Sequence, residues 1–217
     1  MKQTIAPARL DWRPLHAVVF LVLFLGTMRT PIAAYWPWYV AIPALVYACL
    51  CGMIPALRRS CAWIVLGKWD GLALSATPLI IALSSLALVL YQWIMVPDVR
   101  ELAGRLPARV LGSVVLAGML FAVVNAILEE LLFRGVLYDG VEWRWGWKTA
   151  VMVTAAIFGI FHVHGYPPGL FGALMAAMYG LMLGWLRHRT QGLILPILAH
   201  VFADATIFGI LVHVGVP

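Results

Sequence analysis

The sequence predicts an all-α, polytopic membrane bundle of about seven spans (six to eight) with its N-terminus on the cytoplasmic side. Three observations carry that prediction. Only 11% of the 217 residues are charged, against about 25% in soluble domains. Apolar residues make up 64%, in runs that approach the ~20 residues needed to cross a bilayer at 1.5 Å per residue. Nine of the ten tryptophans fall near the ends of those runs, as in an interfacial aromatic belt. The short alternating segments of a membrane barrel are absent from the sequence. A single integral-membrane domain, 1–217, is expected, with a motif-bearing core at about 110–214.

The apolar runs are roughly 15–30, 36–57, 71–96, 110–138, 149–165, 169–186 and 191–214. Lys2, Arg9 and Arg13 precede the first, as in a signal peptide, but no small-x-small cleavage site follows. A retained helix is therefore expected, cut short by Arg29 and Pro31. The stretch from Arg58 to Asp70, charged at both ends and carrying Trp63 and Trp69, reads as interfacial. Every Lys and Arg except Arg134 falls in a loop or near a helix end. With the N-terminus inside, Lys2, Arg9, Arg13, Arg58, Arg59, Lys68, Arg144, Lys148, Arg187 and Arg189 lie on the inner side. Arg29, Arg100, Arg105 and Arg109 lie on the outer side, and ten against four sets the orientation. The charge of +6 is thus topological, and no nucleic-acid partner is expected. Cys49, Cys51 and Cys61 form no CxxC pair and no even set, so they read as small apolar side chains without disulfide or zinc.

Function is expected from the ionisable residues inside the runs: Glu129, Glu130, Arg134, His162, His200 and Asp204. Each charge at the bilayer centre costs about 2.5–3.5 kcal/mol on the lenient insertion scale, so they must pair or line a wet cavity. Glu130 and Arg134 stand at i and i+4 in the favourable order for a helical ion pair. Glu129 points about 100° away and stays outside that pair. A carboxylate left free in a dry site suits a general base working near neutral pH. With the fourth run ending at Tyr138 and the seventh starting at Gln191, Glu129 and His200 both come out about 13 Å from the inner surface. His162 comes out at about 16–20 Å, so three helices bring polar groups together in the cytoplasmic half. Phe158 precedes His162 by one turn, and Asp204 follows His200 by one turn, where a carboxylate can fix an imidazole tautomer or join it on a metal. A base, two imidazoles and a second carboxylate form an inventory for activating water. His16, His164, His188 and His213 receive no role.

These residues resemble a known family. Glu129-Glu130-Leu-Leu-Phe-Arg134 matches EExxxR, Phe158-Gly-Ile-Phe-His162 matches FxxxH, and His200-Val-Phe-Ala-Asp204 matches HxxxN except at its last position. In order and spacing the chain is similar to the CPBP intramembrane proteases, also called the Abi or type II CAAX prenyl endopeptidase family. The resemblance implies a membrane-embedded endopeptidase opening toward the cytoplasm. It implies Glu129 as the base that activates water, with His162 sharing it. It makes His200 and residue 204 the oxyanion stabilisers, and Glu130, Arg134 and Phe158 the support. The implied substrate is a membrane-associated peptide or protein: a prenylated tail, a leader peptide or a C-terminal sorting signal. The expected location is a bacterial plasma membrane.

Asp204 departs from the family pattern, since an ionised carboxylate repels an oxyanion where an amide would donate to it. Asp204 must be protonated, orient His200 or bind a metal. A zinc site would use His162 and His200 with Glu129 or Asp204, and water as the fourth ligand. The chain lacks HExxH, and a metal-free, glutamate-dependent mechanism is favoured. Other classes also fit buried carboxylates and histidines: a proton-coupled transporter, or a membrane protein that binds peptide tails without cutting them. The polar groups cluster at one depth and no internal repeat is visible, which argues against transport.

Overall fold

The computed structural model describes residues 13–34, 38–59, 61, 63, 66–104 and 113–215. Lys2, Arg9, Trp12, Trp36, Arg105 and Arg109, used above for orientation and the aromatic belt, lie outside the described residues, as do positions 110–112 of the fourth run. The described residues are mostly helical, and none of them lies in a strand: α1 (Arg13–Met28), α2 (Trp38–Met53), α3 (Pro55–Arg59), α4 (Gly71–Met95), α5 (Arg100–Gly104), α6 (Val114–Glu130), α7 (Tyr138–Phe161), α8 (Gly169–Thr190) and α9 (Ile194–Gly215). A seven-residue π-helical stretch, Leu131–Leu137, joins α6 to α7 without a break.

Four of these helical stretches are long and apolar enough to cross a membrane: 71–95, 114–161, 169–190 and 194–214. Two shorter apolar helices, 13–28 and 41–53, accompany them. The burial pattern is that of a protein in lipid. Large apolar side chains such as Val22, Leu79, Trp93, Met119, Leu170 and Met178 point outward. Glu130, Arg134, Thr154, Arg187, His200 and Asp204 point inward and are buried. An apolar surface around a polar interior needs a hydrocarbon solvent to be stable.

The 114–161 stretch is where the structure departs from the sequence reading. The fourth run does not stop at Tyr138, because helix continues to Trp145, and Gly146 breaks it with φ 78 and ψ 168. Glycine alone adopts that conformation at no steric cost. A straight helix would separate Glu129 from His162 by about 50 Å. The two side chains are 3.6 Å apart, so the chain reverses at Gly146 and returns alongside itself. Residues 143 to 148, with Arg144, Lys148 and three tryptophans, are exposed at this bend. The added turns put Glu129 about 24 Å from the bend, whereas His200 lies only about 9 Å from the start of α9. The bend nonetheless lies beside the end of α8, where Trp147 stacks on His188 at 4.1 Å, so residue counts along single helices do not fix where the site residues meet. The histidines and Glu129 meet through helix packing instead.

That packing relies on small residues. α7 runs along α8, α6 along α9, and α4 against α9. A Cβ on Gly159 would lie 2.6 Å from the Ala173 carbonyl, and one on Gly180 would lie 3.0 Å from the Ala155 Cα. Close backbone approach of this kind is how helices associate where no hydrophobic force drives them together. α4 is started by Asp70, whose Oδ1 accepts from the Ala73 N–H at 2.8 Å and whose Oδ2 pairs with Arg189 at 2.7 Å. The capping bond and then the guanidinium hold this carboxyl below its ordinary range.

Candidate active site

α6 presents Glu129 and Glu130 at its C-terminal end, and the π stretch carries Arg134. Glu130 and Arg134 are both fully buried, and Nη1 of Arg134 donates to Oε1 of Glu130 at 2.7 Å. The same oxygen accepts from Nδ1 of His200 at 2.7 Å. Arg134 is held on two further sides. Its Nη2 donates to the Gly180 carbonyl at 3.3 Å, and its guanidinium lies 4.5 Å from the Phe158 ring centroid. A side chain on Gly180 would stand 3.3 Å from that Nη2, so the glycine admits the arginine to α8. Phe158 also lies 4.1 Å from the His162 ring and 5.8 Å edge-on from the His200 ring. It packs against the cation and both imidazoles.

Glu129 lies on the open side. Its side chain is 14% exposed and that of His162 is 23% exposed, against 0% for Glu130 and Arg134. Oε1 of Glu129 accepts from the Asn125 amide at 3.0 Å. Oε2 accepts no hydrogen bond from the described residues. Nε2 of His162 stands 3.6 Å from that oxygen and Nε2 of His200 3.7 Å from it. His162 caps the C-terminus of α7, where its Nδ1 meets the Phe158 carbonyl at 2.7 Å. That carbonyl can only accept, so Nδ1 carries the hydrogen and Nε2 faces Glu129. The bond from His200 to Glu130 fixes the same tautomer preference. Two imidazoles from two helices thus aim the same nitrogen at one carboxylate oxygen.

Asp204 lies on α9 with Oδ1 3.7 Å from Nε2 of His200. That is not a hydrogen bond, and the carboxylate that orients His200 is Glu130, across the bundle. Oδ2 of Asp204 accepts instead from Asn125 at 3.1 Å. The structure therefore brings Glu129, Glu130, Arg134, Phe158, His162, His200 and Asp204 into one cluster. It adds two residues the sequence reading missed. Asn125 bridges two carboxylates, and it precedes Glu129 by one helical turn in an otherwise apolar run, which is a readable signal. Arg187, assigned above to a loop-facing helix end, is buried. Its Nε donates to the Arg134 carbonyl in the π stretch at 3.0 Å, and it stacks over Tyr138. Proximity to a helix end hid its burial.

A zinc ion would need three ligand atoms close together. Among the described residues, one trio of His, Cys, Asp or Glu brings its ligand atoms within 4.8 Å of one another, and it lies elsewhere in the molecule. In the present side-chain positions His162, His200 and Glu129 do not gather into such a trio.

A polytopic helical membrane protein with a buried Glu–Arg–His layer behind an accessible Glu–His edge has the parts of a hydrolytic site inside a bilayer. Residues 111–206, just under half of the chain, match the model of the Type II CAAX prenyl endopeptidase Rce1-like family. Over that stretch the chain is similar to this protease family, the one its three motifs resemble. No curated protein and no solved structure matches the chain.

Proposed function

We propose that the protein is an intramembrane endopeptidase in which Glu129 activates the water that attacks a peptide bond of a membrane-associated substrate. The convergence of His162 Nε2 and His200 Nε2 on Glu129 Oε2, at 3.6 and 3.7 Å, carries this reading. These separations are too long for direct hydrogen bonds and suit atoms that share a water at about 2.8 Å from each. The water gives a proton to Oε2 of Glu129 as its oxygen adds to the scissile carbonyl carbon. That proton then passes to the leaving nitrogen as the C–N bond breaks. His162 holds the water. His200, fixed through Nδ1 by Glu130, donates from a protonated Nε2 to the oxygen that gains charge. Both amide hydrogens of Asn125 are engaged, so it positions Glu129 and Asp204. Asp204 supports a proton on the His200 nitrogen that it faces.

In this reading the chain crosses the membrane about seven times, with its N-terminus and the opening of the site on the cytoplasmic side. The contacts at one end of the bundle support that side. His188 stacks on Trp147 at 4.1 Å and faces Glu142 at 3.8 Å, while Arg189 pairs with Asp70. These ties gather the Gly146 bend, the start of α4 and the end of α8 into one basic face.

A second reading, a zinc protease using His162, His200 and Glu129, is favoured by one observation. Both imidazoles give Nδ1–H to an oxygen acceptor, as metal-bound histidines do. One experiment separates the two. Purified protein in liposomes is offered a library of prenylated tails, leader peptides and C-terminal sorting signals, with and without a chelator. Cleavage that resists the chelator and is lost in Glu129→Gln is the expected result. Loss on chelation and recovery with zinc would move the assignment to the metal. Failure to cut any peptide, with proton flux in the same liposomes, would sink the protease reading.

A further inference from the structure

A second polar cluster lies outside the protease site, between α1, α2 and the residue two places after α3. His16, Cys51 and Cys61 bring one ligand atom each within 4.8 Å of one another. All three are buried, and Tyr47 is buried beside them. Nδ1 of His16 is hydrogen-bonded to the Tyr47 hydroxyl and stands 3.7 Å from Sγ of Cys61. The Tyr47 oxygen stands 3.6 Å from the same sulfur. Around a tetrahedral zinc, a nitrogen at about 2.05 Å and a sulfur at about 2.3 Å lie about 3.6 Å apart. The His16–Cys61 spacing is that of a ligand pair before any rearrangement.

We propose that His16, Cys51 and Cys61 form a binding site for a thiophilic metal ion, Zn²⁺ by preference, independent of the protease reading. The donors are one imidazole and two thiols, the soft set that selects zinc or cuprous ion over magnesium or calcium. Helix geometry chooses among the cysteines. Cys49 and Cys51 lie about 200° apart around α2, so Cys49 is exposed while Cys51 turns inward with Tyr47, one turn before it. Binding proceeds without redox change. Cys51 and Cys61 each lose a thiol proton to solvent, their sulfurs and a His16 nitrogen bond the ion, and a water or the Tyr47 oxygen takes the fourth position. The Cys61 thiol gives up its present contact with the Leu57 carbonyl, 3.5 Å away. Three ligands from three segments would then staple the N-terminal helices together. Those segments share their apolar core with Trp63, Leu132, Phe133 and Val136, so the staple backs the π stretch that carries Arg134. A Cβ on Gly135 would lie 3.2 Å from the Trp63 ring, which measures how closely the two regions touch.

The test uses the purified full-length protein, reduced and freed of metal, titrated with Zn²⁺ against a chromophoric chelator. One equivalent should bind, with release of protons, and Cys51→Ser and Cys61→Ser should each weaken it at least tenfold, while Cys49→Ser leaves it unchanged. Because the serine variants could fold poorly, alkylation of the wild type supplies a second measurement. Zn²⁺ should slow modification of Cys51 and Cys61 at least tenfold and leave the rate at exposed Cys49 as it was. Equal protection of all three cysteines, no protection, or undiminished zinc binding in both serine variants would overturn the proposal. So would a Cys51–Cys61 disulfide, found by mass spectrometry, whose reduction yields no zinc binding.

Discussion

Two polar clusters buried among the described residues are built on opposite terms. The cluster of α6 to α9 holds Glu129, Glu130, Arg134, His200 and Asp204, with His162 at its edge. The cluster of α1, α2 and the segment after α3 holds His16, Tyr47, Cys51 and Cys61, all of which can be neutral. In the first, each buried charge has a geometric answer: Glu130 accepts from Arg134 and His200, and Arg134 is held by Glu130, Gly180 and Phe158. The second needs no counter-charge, because thiols and a phenol in their neutral form tolerate an apolar surround. The comparison teaches that buried charge shapes the fold around itself, whereas neutral soft donors can be packed like hydrophobes.

The hardest test of this contrast is Glu129, whose Oε2 is left without a donor among the described residues and faces two imidazoles. Glu129→Gln keeps the shape and removes the base. Peptide cleavage should fall by about 10²- to 10⁴-fold with thermal stability nearly unchanged. A fall in stability as large as the fall in activity would make Glu129 structural. Next comes Arg134→Met, which leaves Glu130 without its cation. It should cost about 3–5 kcal/mol of stability, measured by thermal or denaturant unfolding in detergent. Adding Glu130→Gln to Arg134→Met should recover part of that loss, since it removes the unpaired charge. No recovery would show that the guanidinium contributes packing, through Phe158 and Gly180, more than charge.

The charged cluster was legible in the sequence because charges stand out in apolar runs and helical spacing orders them. EExxxR, FxxxH and the His200–Asp204 pair could be read directly, and so could the membrane character. Three features were hidden, each for a physical reason. The reversal at Gly146 was hidden because one glycine among tryptophans and charges looks like any loop residue, so the fourth run was ended at Tyr138. The orienter of His200 was hidden because i,i+4 spacing pointed to Asp204, while Glu130, the group that bonds it at 2.7 Å, comes from another helix. The sulfur cluster was hidden because Cys and Tyr score as apolar, and its members are as much as 45 residues apart. Sequence periodicity reports neighbours along one helix and is silent on neighbours across the bundle.

A smaller effect probes the bridge between the two carboxylates. Asn125→Leu removes donors at 3.0 and 3.1 Å from Glu129 and Asp204, and should lower turnover about tenfold. Asp204→Asn, which installs the amide of the family motif, should retain activity. Single-turnover cleavage of the best library peptide measures both. If Asn125→Leu is silent while Asp204→Asn is dead, the essential group is the Asp204 carboxylate, and the proposed division of roles must be redrawn.

The smallest effect is expected at Asp70, which serves as the exposed reference for all the buried carboxylates. It caps α4 and pairs with Arg189 where water screens the charge. Its folded-state titration is lowered, first by the Ala73 N–H and then by Arg189. A carboxyl titrating lower when folded than when unfolded contributes its stability above the unfolded value, about 3.9 for Asp, and loses it as pH falls through the folded value. The melting temperature of Asp70→Ala should therefore lie slightly below that of the wild type from pH 7 to about pH 5, and the gap should close below about pH 4. A gap that persists into acid would mean that the side chain acts by shape alone. A gap as large as that of Arg134→Met would break the comparison itself, because an exposed carboxylate would then count for as much as a buried one.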